Sequence, residues 1–328
     1  ISIKGTRNDN QKDNDASSNK IGSFLNEGTL SGYAELYHGH SQGKYSRFNY
    51  QNTGAGLSVE GNVETEIKNT GIISGSEFAL LSKGLVDDSQ SIANPNFVSG
   101  FKGGVKNYGI LAGRIIIGGY KGGIGTFDYF ETIYEDKKHY TNDGIFVILD
   151  RKGEARKVIG KKKNKKTKYD GKTIENILSL DGSYEESGNI ENKIINGVGN
   201  NGLIKINNEE DKSIKNTTIN AFKTAIAFDK AGVVKVENSI VNTNGFGDTY
   251  AIKGSAEDDI VKLGSGNIIN GKINLAEGND TIVISDNIIL NGNVDLGAGE
   301  NKLVFGELKN NKKSSVANLL SLRTASEE

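Results

Sequence analysis

The 328-residue chain is long enough to bury a sizeable core, and its 40 basic and 41 acidic residues leave a net charge of −1. That balance excludes the global field of a nucleic-acid binder or of a protein drawn to an anionic membrane, and no apolar run approaches the ~18 residues of a membrane helix. The absence of Cys excludes a disulfide scaffold and suits a chain that crosses a periplasm unfolded; with no Met and no signal peptide, the chain reads as part of a longer protein.

In chain order, residues 1–19 carry no repeat and read as an edge or disordered segment. Residues 20–119 hold a recurring unit. Asn26-Glu27-Gly28-Thr29-Leu30-Ser31-Gly32 returns as Asn69-Thr70-Gly71-Ile72-Ile73-Ser74-Gly75, and Ile67-Lys68-Asn69 returns as Val105-Lys106-Asn107. Two stretches interrupt it, 33–56 and 84–101. The first carries His38, His40, Tyr45, Arg47, Phe48 and Tyr50 between glycines; the second holds the sole proline, Pro95. From 120 to 186 no Asn-x-Gly unit is recognised, and this span reads as an insertion or subdomain. Within it, Gly144–Asp150 has the look of a buried strand that pairs with Lys157-Val158-Ile159 as a hairpin, and Thr173–Leu180 has weak helical spacing. Between 150 and 170, ten Lys or Arg stand against three acids, peaking at Lys161-Lys162-Lys163-Asn164-Lys165-Lys166.

The repeat resumes over 187–308. Ile190-Glu191-Asn192, Ile214-Lys215-Asn216 and Val236-Glu237-Asn238 follow at steps of 24 and 22 residues, and are grouped with the upstream Ile67-Lys68-Asn69. Ile260, Ile282 and Leu303 then head three apolar blocks 22 and 21 residues apart, and Asn270-Gly271 recurs as Asn291-Gly292. Residues 309–328 lose the pattern and read as a tail, with Val316, Leu319, Leu320 and Leu322 suited to a turn or two of amphipathic helix.

A period of 20–24 residues with short apolar strands divided by Gly, Asn or Asp predicts an all-β chain: a right-handed parallel β-helix, or β-solenoid, with loop or subdomain insertions. Glycine is expected at corners of positive φ, asparagine in ladders, and proline almost nowhere, because strands inside a stack need every N–H. A leucine-rich repeat lacks its consensus here, and a sandwich would not hold the Asn-x-Gly register. Subtracting the insertions leaves about 10 coils at ~4.8 Å each, a rod on the order of 50 Å.

No clustered acid pair or Ser/His/Asp signature points to catalysis, so no enzyme is expected, and no cofactor. The turns at Asp258-Asp259, Asn279-Asp280 and Glu300-Asn301 faintly resemble calcium β-rolls, but those recur every nine residues; ordinary polar turns fit better. Tyr and Arg are typical interface anchors, which marks His38, His40, Tyr45, Arg47, Phe48 and Tyr50 as candidate ligand-binding residues. Lys161, Lys162 and Lys163 are candidates for anionic glycans or an acidic protein face; a solvated loop is the plainer explanation.

The Asn-x-Gly-x-Ile/Leu-x-Gly units, the missing Cys and the Asn/Lys/Ile bias resemble type V autotransporter passenger domains, most of all the large fusobacterial outer-membrane autotransporter adhesins (RadD-like). The likeness covers about 20–120 and 187–308. It implies a fragment at the bacterial surface, tethered to the outer membrane by a part of the parent outside this sequence. It also implies attachment to host receptors, glycans or other bacteria, by a monomer that inserts in no membrane. A purely structural stalk is the alternative, and a carbohydrate-active β-helix enzyme a more distant one.

Overall fold

The computed structural model describes residues 2–4, 18–19, 24–33, 54–60, 62–63, 65–83, 101, 103–116, 140–150, 152–161, 167–207, 211–306 and 319–323. These are strands and turns with no helix, and the strands stack in parallel as a β-solenoid.

The chain builds two stacks of coils. In the first, Phe24–Asn26, Ile67–Asn69, Val105–Asn107 and Tyr140–Asn142 form a four-stranded parallel sheet. Each strand turns through Asn-x-Gly into a second face, made of Thr29–Gly32, Ile72–Lys83, Ile110–Ile116 and Ile145–Leu149. A third face begins where Ala55–Glu60 pairs with the far half of Ile72–Lys83. Alternation sends Ile67, Ile73, Val105 and Leu111 inward, where they pack with Leu57, Leu80 and Phe101.

Sequence explains the corner directly. Asn26, Asn69, Asn107 and Asn142 stack so that each Nδ2 donates to the Oδ1 one coil on, at 2.8, 2.7 and 2.7 Å. The same Nδ2 atoms of Asn26, Asn69 and Asn107 also donate to the carbonyl of the Gly two residues later. That glycine is required by close approach, not by φ: a Cβ on Gly71, Gly109 or Gly144 would lie 2.1, 2.0 and 2.0 Å from the glycine carbonyl one coil below. Positive φ does set the corners of the second stack, at Gly266, Gly278, Gly297 and Gly299.

Asn142-Asp143-Gly144 is thus a fourth copy of the unit, inside the span where none was recognised. Its following strand, Ile145–Leu149, pairs antiparallel with Ala155–Gly160, Val147 opposite Val158, as the expected hairpin. The hairpin ends the stack and reverses the chain. The expected helix at Thr173–Leu180 is instead strand Lys172–Asn176, with Ile174 and Glu175 both buried. Because both its faces are covered, the strand lacks an alternating pattern and its apolar spacing misleads.

In the second stack, Ile190–Glu191, Lys212–Lys215, Val233–Glu237, Ile260–Leu263, Thr281–Ile284 and Lys302–Phe305 form a six-stranded sheet. Three of the sequence alignments are its strand register, Ile190↔Ile214, Ile214↔Val236 and Ile282↔Leu303, but Ile260 does not align with Ile282: it pairs with Thr281, and Val261 stands opposite Ile282. The second face holds Lys172–Asn176, Lys193–Gly197, Thr218–Ala221, Ile240–Thr243, Ile268–Asn270 and Ile289–Asp295. Asn192, Asn216 and Asn238 prove different from Asn69: they occupy left-handed corners at φ 55, 48 and 46°, exposed or half-buried, and form no part of the buried ladder. In the tail, Leu319–Arg323 is a strand on Ile289–Asp295, not a helical turn, because the stack offers its open edge to it.

The two stacks lie side by side and run in opposite directions. A third apolar cluster fills the space between them: Ile72, Ile110, Ala112, Ile145, Val147 and Leu149 from the first stack meet Val198 and Phe222 from the second, with Leu178, Leu180 and Phe246 packed around them. This replaces the expected single rod. Six stacked strands at ~4.8 Å give a body about 30 Å long and two stacks wide.

Candidate functional site

The first stack differs from the second in what its coils carry. Its ladder asparagines are 43, 38 and 35 residues apart, against 24, 22, 28 and 21 from Asn196 to Asn291 in the second. The surplus lies in three excursions, 34–53, 84–100 and 117–139. His38, His40, Tyr45, Arg47, Phe48 and Tyr50 fall in the first of these, outside the described residues, as do Lys162 and Lys163. Lys161 is described: its Nζ lies 3.3 Å from Asp143 Oδ1 at the hairpin end.

The roots of the excursions are fixed. Tyr33, 64 % exposed, enters 34–53 with its ring 5.9 Å from Phe246 of the second stack, and Phe246 meets Phe222 edge-on at 6.3 Å. Excursion 84–100 returns through buried Phe101, followed by Gly103 N donating to Val63 O and Ile67 N donating to Gly104 O, both at 2.9 Å. It leaves strand Ile72–Lys83 and re-enters at Val105–Asn107; excursion 117–139 leaves Ile110–Ile116 and re-enters at Tyr140–Asn142. Ile72–Lys83 pairs with Ile110–Ile116, through register shifts around Arg114, and Val105–Asn107 pairs with Tyr140–Asn142, so the strands that flank both stretches belong to neighbouring coils.

Beside those strands is a charged and aromatic patch. Glu66 binds Lys106 at 2.6 Å and Lys68 at 3.5 Å, and Tyr108 stacks on Tyr169 with centroids 4.4 Å apart. Burial opposes ionisation of Glu66, but the two lysines outweigh it and hold the carboxyl below its usual range. The hydrogen bond to Glu66 raises Lys106 in turn, and burial raises Tyr108.

Two other polar clusters serve the fold. At the first coil of the second stack, Tyr184 donates to Glu186 Oε2 at 2.6 Å, and Lys193 lies 3.7 Å from Glu186 and 3.8 Å from Glu175. They close the end of the core that Tyr184 joins, and burial, then Glu186, raises the phenol. The turn acids act as caps between coils. Asp258 Oδ1 accepts from Asn279 N, Asn279 Oδ1 from Glu300 N, Asp280 Oδ1 from Asp259 N and Asn301 Oδ1 from Asp280 N, at 2.7–2.9 Å. The acceptors face backbone N–H groups of the next coil or the previous one. Among the described residues, no group of three or more His, Cys, Asp or Glu gathers to hold a metal ion.

Sequence reasoning missed the contact between stacks. Asn176, Asn196, Asn220 and Asn242 donate to the carbonyls of Asp143, Tyr108, Thr70 and Glu27 at 2.8, 2.9, 2.8 and 2.8 Å. Each acceptor is the middle residue of an Asn-x-Gly corner, and Asn196, Asn220 and Asn242 donate again to the Asn one coil away, Asn176 accepting at the first rung. The signal was present as strand-end asparagines at coil spacing, but the partner stack is invisible to a linear period.

Compared with family models, with curated proteins and with solved structures, the chain matches none.

Proposed function

We propose that this chain is a cell-surface adhesin segment of the autotransporter-passenger kind, held outside the cell by another part of its parent. It binds a host receptor, a surface glycan or another bacterium through the excursions of the first stack. One observation carries this reading: the surplus residues of the longer coils fall in 34–53, 84–100 and 117–139, between strands of the first stack, and those stretches hold a large share of the chain's Tyr, Phe and His. Binding groups mounted on loops over a stiff scaffold are a common solution, because the frame meets the ordering cost in advance.

The test replaces 34–53, 84–100 and 117–139, singly and together, by short Gly/Ser linkers, and measures binding to epithelial cells, a glycan array and a receptor panel. A finer variant changes Tyr45, Arg47 and Tyr50 together to Ala. At least one change should weaken attachment roughly tenfold or more while the melting temperature holds, as hot-spot truncations do. Binding that survives removal of all three excursions would refute the reading; no binding by the parent fragment to any surface would favour a stalk.

A further inference from the structure

The hydrogen bonds of the seam do not by themselves choose how the two stacks align. Asn176, Asn196, Asn220 and Asn242 donate to main-chain carbonyls, a group that every residue carries. Sliding the stacks by one coil, ~4.8 Å, would bring Asn196, Asn220, Asn242 and Asn270 to the same four carbonyls and restore the bonding. The apolar cluster beside the seam is held by a non-directional force and tolerates such a slide as well. A feature that does not repeat has to select the alignment.

One polar contact within the apolar face between the stacks is of this kind. Ser31, Ser74, Ala112 and Val147 form one column of the first stack, paired strand to strand. Val198, Phe222 and Asn244 each follow a ladder asparagine by two positions and form the column that faces it. Ser74 Oγ donates to Asn244 Oδ1 at 2.6 Å, and both residues are buried. That leaves Ser31 Oγ, itself 3.4 Å from Asn244 Oδ1, to donate to Ser74 Oγ at 2.9 Å, while it accepts from Gly245 N at 2.9 Å. The bonds thus run from Gly245 N–H through both hydroxyls to the neighbouring Asn244. From its own side, Asn244 is held by a bond to Phe246 O at 3.3 Å and by Thr249 Oγ1, which donates to its carbonyl at 2.9 Å. Its coil is longer here than the one before it: eight residues lead from Asn242 to Tyr250, against four from Asn220 to the paired Thr224.

We infer that the Ser74–Asn244 pair, closed at its rim by Ser31, is the key that fixes the register of the two stacks. A slide by one coil toward the hairpin end sets the Asn244 amide beside Ala112 and separates Gly245 N from Ser31. A slide the other way sets the Phe222 ring against Ser31 and Ser74 and takes the acceptor from the buried Ser74 hydroxyl. Either slide strands a buried polar group, which costs far more than a hydrogen bond exchanged with water. A single buried asparagine sets the register of a coiled coil on the same grounds, because the other contacts repeat and it does not. The key also stands at the root of excursion 34–53, whose entry residue Tyr33 packs on Phe246, so it fixes where that excursion leaves the body.

Pulsed dipolar spectroscopy between nitroxides at Leu25→Cys and Glu191→Cys, exposed positions in different stacks, reads the alignment; the lack of natural Cys makes the labelling clean. With the native key, a single distance is expected. Ser31→Ala/Ser74→Ala/Asn244→Leu should keep the circular dichroism of the parent and add a second distance, displaced by up to ~4.8 Å. Where the triple variant does not fold, the milder Ser31→Ala/Ser74→Ala pair carries the same expectation. A single, unchanged distance in the variant so tested overturns the proposal, as do two distances in the parent. Loss of the fold in both variants overturns it too, since the cluster would then supply cohesion and not register.

Discussion

Asparagine does three jobs in this molecule, and only position separates them. At ladder positions Asn69, Asn107, Asn196 and Asn220 it is buried, with amide and carbonyl both engaged; at Asn192, Asn216 and Asn238 it accepts a left-handed corner; at Asn279 and Asn301 it caps a neighbouring coil. Asp280 occupies such a cap column imperfectly. Its Oδ1 is used, its Oδ2 is buried without a partner, and burial pushes its pKa up to about 6. A carboxyl raised in the folded state contributes stability that is full below the unfolded value near 3.9 and lost as pH rises through about 6. One coil on, Asn301 donates its Nδ2 to the carbonyl four residues earlier, Gly297. Asp280→Asn should make the matching bond to Ala276 and raise stability at pH 7.5 by roughly 2–3 kcal/mol, the gap closing by about pH 4. Denaturant melts of both proteins across that range check this; a gap that widens on acidification would show the group ionised in the fold.

Elements form here by repetition. A strand of four or five residues has little stability alone, but each one meets its equivalent a coil away, so a small deviation is felt along the column. The glycine corner is the strictest point. At Gly109 a methyl would lie 2.0 Å from Gly71 O, a contact with backbone that no rotamer relieves. Gly109→Ala should therefore cost about 3 kcal/mol or more and disturb Gly71 and Gly144 on either side. Gly171→Ala, where nothing lies within 4 Å but φ is +76°, should cost about 1 kcal/mol, from backbone strain alone. Urea melts of the two variants decide; equal losses would mean that corner conformation, not coil spacing, sets the need for glycine.

At the scale of the molecule, the third apolar cluster makes two stacks one body. Phe222 is fully buried there, packed with Ile and Val side chains from the opposite stack. Phe222→Ala should cost about 3–5 kcal/mol, and because the loss falls between the stacks it should uncouple them. Calorimetry should show one transition in the wild type and two in the variant. Two transitions already in the wild type would mean that the seam contributes little to cohesion.

The sequence by itself determined the coil. Ile190, Ile214, Val236 and Leu263 form one inward column and Val234, Val261, Ile282 and Leu303 another; burial inside a coil depends on that local alternation, so register was legible except at Ile260, whose alignment with Ile282 is one residue off. The hairpin after Ile145 was legible for the same reason. Direction between stacks was not, because the seam joins Asn242 to Glu27 and Asn196 to Tyr108, pairs whose separation shrinks along the chain and repeats at no period. Tertiary structure alone decided that the coils fold back on themselves and that Asn176 belongs to a strand. It also decided that one asparagine is a corner and another a bridge, since each outcome depends on which surface is covered, and by what.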